Sequence, residues 1–350
     1  MNGPDSPNLP ERIATEEQLE EILTRPGAEL VRFIKNIPSP LVILGAGGKM
    51  GPTLAALAKR AGEQADHPLE VIAVSRFKDP NSLAWLNCRG IRTLACDLLE
   101  TRAVQALPDA AAVIYLVGLK FGTAQNPSAT WAMNTIVPAR AVERYRDARM
   151  VALSTGNVYP LTEVSRGGAR ETERLTPLGE YANAAVGRER IFEFYSRSLQ
   201  TPVTLLRLFY AVELRYGVLV DIARKVHAGE PIDLSNGYFN CIWQGDANEL
   251  ALRALSLATA PPSVWNLCRP EVFSTRTVAL RLAELFGRAP QFTDVEAATA
   301  LLGNAAPLGA SLGAPRVGLE RMLTWIAHWI EAGGRDLNRP THFEARDGNY

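Results

Sequence analysis

A surplus of charge of either sign is the first thing this chain lacks. Lysine plus arginine and aspartate plus glutamate each number 37 in 350 residues. No net field therefore draws it to nucleic acid or to an anionic membrane, and no long basic run appears. Cysteine is scarce: four residues, at 88, 96, 241 and 268, with no Cys-x-x-Cys pair. They read as separate thiols of a reducing compartment. The four histidines, at 67, 227, 328 and 342, fall in no metal-ligand spacing, so no metal is expected. No apolar run approaches the ~20 residues of a membrane helix. The polar start Met-Asn-Gly-Pro-Asp-Ser-Pro is no secretory leader. These absences lead to the expectation of a cytoplasmic protein with no nucleic-acid or membrane partner.

Glycine, by contrast, is concentrated in one informative place. Residues 41–51 read Leu-Val-Ile-Leu-Gly-Ala-Gly-Gly-Lys-Met-Gly. Leu41 to Leu44 suit a buried strand. Gly45, Gly48 and Gly51 space a turn that encloses Lys49 and Met50, and Pro52 to Arg60 suits an amphipathic helix. A strand, a glycine turn and a helix start together make a phosphate cradle. Glycine lets the backbone approach a pyrophosphate closely, and the helix start offers free N–H groups and partial positive charge. The flanking strand and helix favour a dinucleotide site over a turn that binds nothing. A nucleoside-triphosphate loop is excluded, because Lys49 is followed by Met50 and not by Ser or Thr.

Apolar periodicity organises the rest. Two helices, near 15–23 and 28–37, precede the first strand and form an N-terminal helical extension over 1–39. Continuous apolar runs at 41–45, 69–74, 91–95, 112–117, 149–154 and 203–207 suit parallel strands covered on both faces. Helices near 51–62, 99–106, 128–146 and 180–199 alternate with them. The expected class is α/β: a Rossmann-type doubly wound parallel sheet over 40–207, with some return of 235–260. Residues 208–350 should form mainly a smaller C-terminal substrate lobe and tail. In that part, helices near 217–228, 246–258, 275–286 and 319–332 are expected, 303–314 reads as a loop, and 333–350 looks irregular.

The strand ends carry the remaining candidates. The second strand closes on Ser75-Arg76, where an acid would hold the ribose of NAD. Arginine and serine suit the 2′-phosphate of NADP instead, so the cofactor is NAD(P), leaning NADP. Asp97, next to Leu98, is placed to accept a hydrogen bond from the adenine amine or to cap the next helix. Val117 and Gly118 end the fourth strand.

In order, these segments resemble the extended short-chain dehydrogenase/reductase superfamily, of the nucleotide-sugar epimerase/dehydratase type, from about residue 40 to 332. The carrying residues are the glycine loop, Ser154-Thr155-Gly156-Asn157-Val158-Tyr159, and Pro177-Leu178-Gly179-Glu180-Tyr181. The resemblance implies a catalytic role for Thr155 and Tyr181. It also implies cofactor contacts from Gly118-Leu119-Lys120, Asn134 and Phe209. Asn157, Tyr159 and Tyr210 follow strands on the ligand edge, and the resemblance implies that Arg215 and Tyr216, in the segment after Phe209, face substrate; these are the substrate-side candidates. Arg215 suits a carboxylate or diphosphate. The resemblance further allows a homodimer through the two long helices, and it points to a sugar-like small-molecule substrate.

One departure is chemical. The superfamily pattern is Tyr-x-x-x-Lys, and position 185 is alanine. A free tyrosine has a pKa near ~10, and a lysine one turn along would stabilise its anion and hold the nicotinamide ribose. Three readings stand. Lys120 or Arg188 supplies the cation; or Tyr181 only orients the substrate; or hydride chemistry is lost and the protein is an NAD(P)-binding regulatory or assembly protein. The leading expectation is an NAD(P)-dependent oxidoreductase or epimerase acting on a sugar-like polyhydroxy compound, with Thr155, Tyr181 and Lys120 as its catalytic set.

Overall fold

The structure, a computed structural model, describes residues 9–119, 125–338 and 341–348. Seven parallel strands form one sheet in the spatial order Ser263–Leu267, Val203–Leu208, Arg149–Thr155, Ala112–Tyr115, Leu41–Leu44, Val71–Ser75, Arg92–Ala95. The order reverses between Leu41–Leu44 and Ala112–Tyr115, which both pair in parallel with their neighbours. That reversal is the switch point at which ligands of such sheets bind, outside the carboxyl ends of the strands.

Strand pleating divides the apolar runs between two cores. Leu41, Ile43, Ala73, Ile114 and Val151 face helices Gly51–Gln64 and Gln244–Arg253. Val42, Leu44, Val74, Val113 and Met150 face the other way, onto Val137 and Ala141 of helix Pro127–Arg144 and Phe192 of helix Gly179–Leu199. Successive side chains of a strand point to opposite faces, so an unbroken apolar run is what a doubly covered strand requires. A third core joins helices Val218–Ala228, Thr275–Phe286 and Leu319–Glu331 in the later lobe.

The N-terminal extension belongs to both halves. Leu19, Ile22 and Leu23 of helix Glu16–Leu23 enter the core of the later lobe, whereas Leu30 of helix Ala28–Phe33, with Ile34 and Ile37, packs into the sheet core. The two helices thus span the two parts of their own chain.

Three elements depart from expectation. Ser263–Leu267 adds an edge strand to the sheet beside Val203–Leu208. Its sequence Ser-Val-Trp-Asn-Leu is only partly buried, so it carries no continuous apolar run. Residues 303–314 contain a helix, Ala306–Leu312, that buries Leu308 and Leu312. Helix Pro80–Asn87 starts at Asp79, whose carboxylate accepts from the N–H groups of Asn81 and Ser82. The tail is irregular in backbone but fixed by side chains. The Thr341 N–H and hydroxyl donate to Asp221 at 2.9 and 2.5 Å, and Phe343 is fully buried. Among the described residues no helix is long and apolar enough to cross a membrane.

Candidate active site

The glycine loop forms one wall of a cavity of about 310 Å³ at the switch point. Gly45 turns the chain out of the strand at φ +84°, a left-handed conformation open to glycine at little cost. A Cβ on Gly51 would run into the Ala46 backbone, so only glycine lets the helix start close over the loop. Gly51–Gln64 thereby aims its first turn at the cavity, where its free N–H groups and dipole suit an anion.

The opposite wall comes from the fifth strand and the helix after it. Thr155 ends Arg149–Thr155, and its hydroxyl accepts from the Asn157 N–H at 3.2 Å, capping the turn Gly156–Val158. Tyr181 lies in the first turn of Gly179–Leu199 and is 8% exposed, its remaining surface in the cavity. Phe209 wedges its ring against Gly156 and Gly303 and forms part of the lining. The structure therefore gathers Gly45, Gly48, Lys49, Met50, Gly51, Gly118, Thr155, Asn157, Tyr181, Phe209, Tyr210 and Tyr216 around one space.

Lys49 reaches across this space. Its ammonium donates to the Ala211 carbonyl at 2.8 Å and lies 4.0 Å from the centre of the Tyr216 ring. Arg188 forms a second cationic part of the lining. No aspartate or glutamate is among the described lining residues, so the cavity is electropositive.

Other candidates lie elsewhere. Ser75, Arg76, Asp97 and Leu98 sit at the ends of the second and third strands, on the other side of the loop. Arg76 is half-exposed, with Nη1 3.9 Å from Asp97 Oδ2. The Asp97 carboxylate accepts from the Leu99 N–H at 2.9 Å, an Asx turn rather than a helix cap. Asn134 is fully buried, donates to the Thr130 carbonyl and accepts from Arg188. Val117 offers its carbonyl to the same guanidinium. Lys120 lies outside the described residues.

Two substrate-side expectations need correction. Arg215 is turned away from the cavity: Nε pairs with Glu213 at 3.2 Å and Nη1 with Glu16 of the N-terminal extension at 3.1 Å. Its charge is thus already neutralised. The Tyr159 hydroxyl is held in a buried network, donating to Asn266 Oδ1 at 2.9 Å and accepting from Arg207 at 2.5 Å. It does not line the main cavity, and burial pushes it up to about 12. Trp243 is a core residue, edge-on to Trp325.

Among the lining residues that sequence reasoning missed are Ser154, Leu301 and Thr341. Ser154 was legible as the neighbour of Thr155. Thr341 carries no signal, because the tail that supplies it has no periodicity. Beneath Ser154, its hydroxyl donates to Glu189 at 2.5 Å, and Glu189 pairs with Arg207.

Residues 41–267 match the model of the NAD dependent epimerase/dehydratase family. No curated protein matches the chain. Among solved structures, a UDP-glucuronic acid 4-epimerase from Bacillus cereus, in complex with UDP-glucuronic acid and NAD, is similar with a TM-score of 0.68 at 16% identity. The match covers 83% of this chain and 99% of that one. A UDP-glucose 4-epimerase from Thermus thermophilus in complex with NAD gives 0.65 at 19% identity, over 82% of this chain and 97% of that one. A UDP-glucose 4-epimerase from Thermotoga maritima with UDP-glucose gives 0.66 at 16% identity, over 84% and 99%. At these identities the likeness concerns the fold. About a sixth of this chain extends beyond each match.

Proposed function

The chain belongs to the NAD dependent epimerase/dehydratase family, and from that premise we propose an NAD(P)-dependent enzyme that transfers hydride at a carbinol carbon of a sugar-like substrate. The observation that carries this reading is the meeting of the glycine loop, Thr155 and Tyr181 in one cavity. The loop residues fit a dinucleotide: the cradle tolerates no Cβ at Gly51, and the described lining residues include two cations and no acid.

Bound cofactor would supply the hydride acceptor and donor. The protein's share is orientation and proton movement. The Thr155 hydroxyl, fixed by Asn157, would hold the reacting oxygen, and Tyr181 would move its proton. Tyr210, Tyr216 and Asn157 would face the rest of the substrate. Arg76 and Ser75 favour NADP, because both can donate to a 2′-phosphate and neither is an acid. The named UDP-sugar complexes of the neighbours support a sugar-like substrate as the first class to test.

The test is cofactor reduction or oxidation against a panel of free and UDP-linked sugars. Tyr181→Phe should keep NADPH affinity and lower kcat at least ~100-fold. An unchanged kcat would remove Tyr181 from the chemistry. Tight NADPH binding with no turnover on any substrate would favour the regulatory alternative that Ala185 raises.

A further inference from the structure

We infer that Arg188 is the cation that holds the nicotinamide riboside, an assignment that rests on the cofactor reading above. Arg188 is 4% exposed, yet no carboxylate pairs with it among the described residues. Its Nη1 donates to two neutral acceptors, the Val117 carbonyl and Asn134 Oδ1, each at 3.0 Å. Its Nε is buried with no partner. A buried guanidinium left without a counter-charge is costly unless something else completes it. This one borders the cavity that holds Thr155 and Tyr181, so a ligand can.

The fold says which part of the ligand. A doubly wound sheet binds a dinucleotide as two mononucleotides across the switch point, the first three strands serving adenosine and the next strands the other half. Val117 and Gly118 follow Ala112–Tyr115, the first strand of that second half. The guanidinium is tied to the Val117 carbonyl and is therefore placed for the nicotinamide side. The edge of the guanidinium that lines the cavity can donate to the ribose hydroxyls of that half.

Two sequence positions are explained by this placement. A Cβ on Gly118 would stand 2.6 Å from Arg188 Nη1, so a larger residue there would displace the guanidinium. Side chains on a helix lean toward its N-terminus, so the long arm of Arg188 returns toward the turn that carries Ala185 and Tyr181. Ala185 is fully buried and presents only a methyl group there. The arginine reaches from one turn further along and supplies the cation that position 185 does not.

The experiment compares NADPH, NADH and ADP binding by fluorescence and calorimetry. ADP contains the adenosine and phosphate parts and lacks the nicotinamide riboside. Arg188→Met should weaken NADPH or NADH about 10- to 100-fold and leave ADP within about twofold. Arg188→Lys should recover part of the loss. Gly118→Ala, which crowds the guanidinium without removing it, should repeat the selective loss. Equal losses for NADPH and ADP would mean a structural role and overturn the assignment, as would full NADPH affinity in both Arg188→Met and Gly118→Ala. If Arg188→Met does not fold, the other two variants decide by the same criteria. Wild-type binding of NADPH or NADH tests the underlying cofactor reading by itself; if wild type binds neither, both fall.

Discussion

Arg207 holds Glu189 by a two-point grip: Nη2 donates to Oε2 at 2.7 Å and Nε to Oε1 at 3.0 Å, with both side chains at most 5% exposed. Burial alone would lower the Arg207 guanidinium, but hydrogen bonds to Glu189 and its charge hold it above its ordinary value. It stays charged at every working pH. The pair anchors Ser154 on one side and Tyr159 on the other, so it supports the cavity floor from beneath. Removing one member of a buried pair strands the other. Glu189→Leu or Arg207→Met should each cost about 3–5 kcal/mol in urea unfolding, and the double variant Glu189→Leu with Arg207→Met clearly less than their sum. Strict additivity would refute the coupling.

The proposed preference for NADP rests on a different arginine. Arg76 lies at the end of the second strand and is half-exposed, 3.9 Å from Asp97. A charge-assisted contact from it to a 2′-phosphate would therefore be partly screened. Arg76→Ala should weaken NADPH about tenfold, near 1.4 kcal/mol, and leave NADH unchanged. If the NADPH-to-NADH ratio does not move, Arg76 does not read the phosphate.

The parts of this molecule that were legible beforehand are those governed by local pattern. The buried strands announced themselves as unbroken apolar runs, and the glycine loop by the turn that its spacing imposes. The edge strand Ser263–Leu267 escaped because one side of an edge strand needs no apolar cover. Arg215 was misread for a long-range reason: its partner Glu16 lies 199 residues away. Tyr159 failed similarly, its hydroxyl bound to Asn266 across 107 residues. Helix spacing placed Arg188 on the same helix face as Tyr181, but only the fold shows that its guanidinium meets the Val117 carbonyl and, among the described residues, no acid.

Alkaline stability should decline through buried phenols. Burial pushes Tyr145 up to about 12, despite Arg144 beside it, and Tyr159 up to about 12 as well. The folded state then keeps protons that the unfolded chain releases near its ordinary value of 10. Stability from these groups is full below pH 10 and is lost as pH rises toward 12. Tyr145→Phe deletes one hydrogen bond, to the Pro108 carbonyl. It should lower Tm slightly at pH 8 and flatten the fall in Tm between pH 10 and 11.5. A slope equal to that of wild type would exclude Tyr145 as a contributor.

The N-terminal extension is fastened by Arg316, and its removal should leave a signature in pH. Arg316 Nε is 3.2 Å from Asp246 and Nη2 3.0 Å from Glu249; Glu249 also accepts from the Gly27 N–H at 2.8 Å, between the two N-terminal helices. Burial pushes both carboxyls up from their ordinary values of 3.8 and 4.5, and Arg316 partly offsets it. Because the folded pKa values are raised, the stability these groups contribute is full below the unfolded values and is lost as pH rises through the folded ones. Arg316→Leu takes away the offset and raises them further. The variant should lose about 2–3 kcal/mol at pH 8, the lower end for a buried pair because Arg316 is one-third exposed. At pH 5, where the stranded carboxyls can take up protons, part of that loss should return. Urea unfolding at the two pH values measures both; an equal loss at pH 5 and pH 8 would show that Arg316 acts by packing and not by charge.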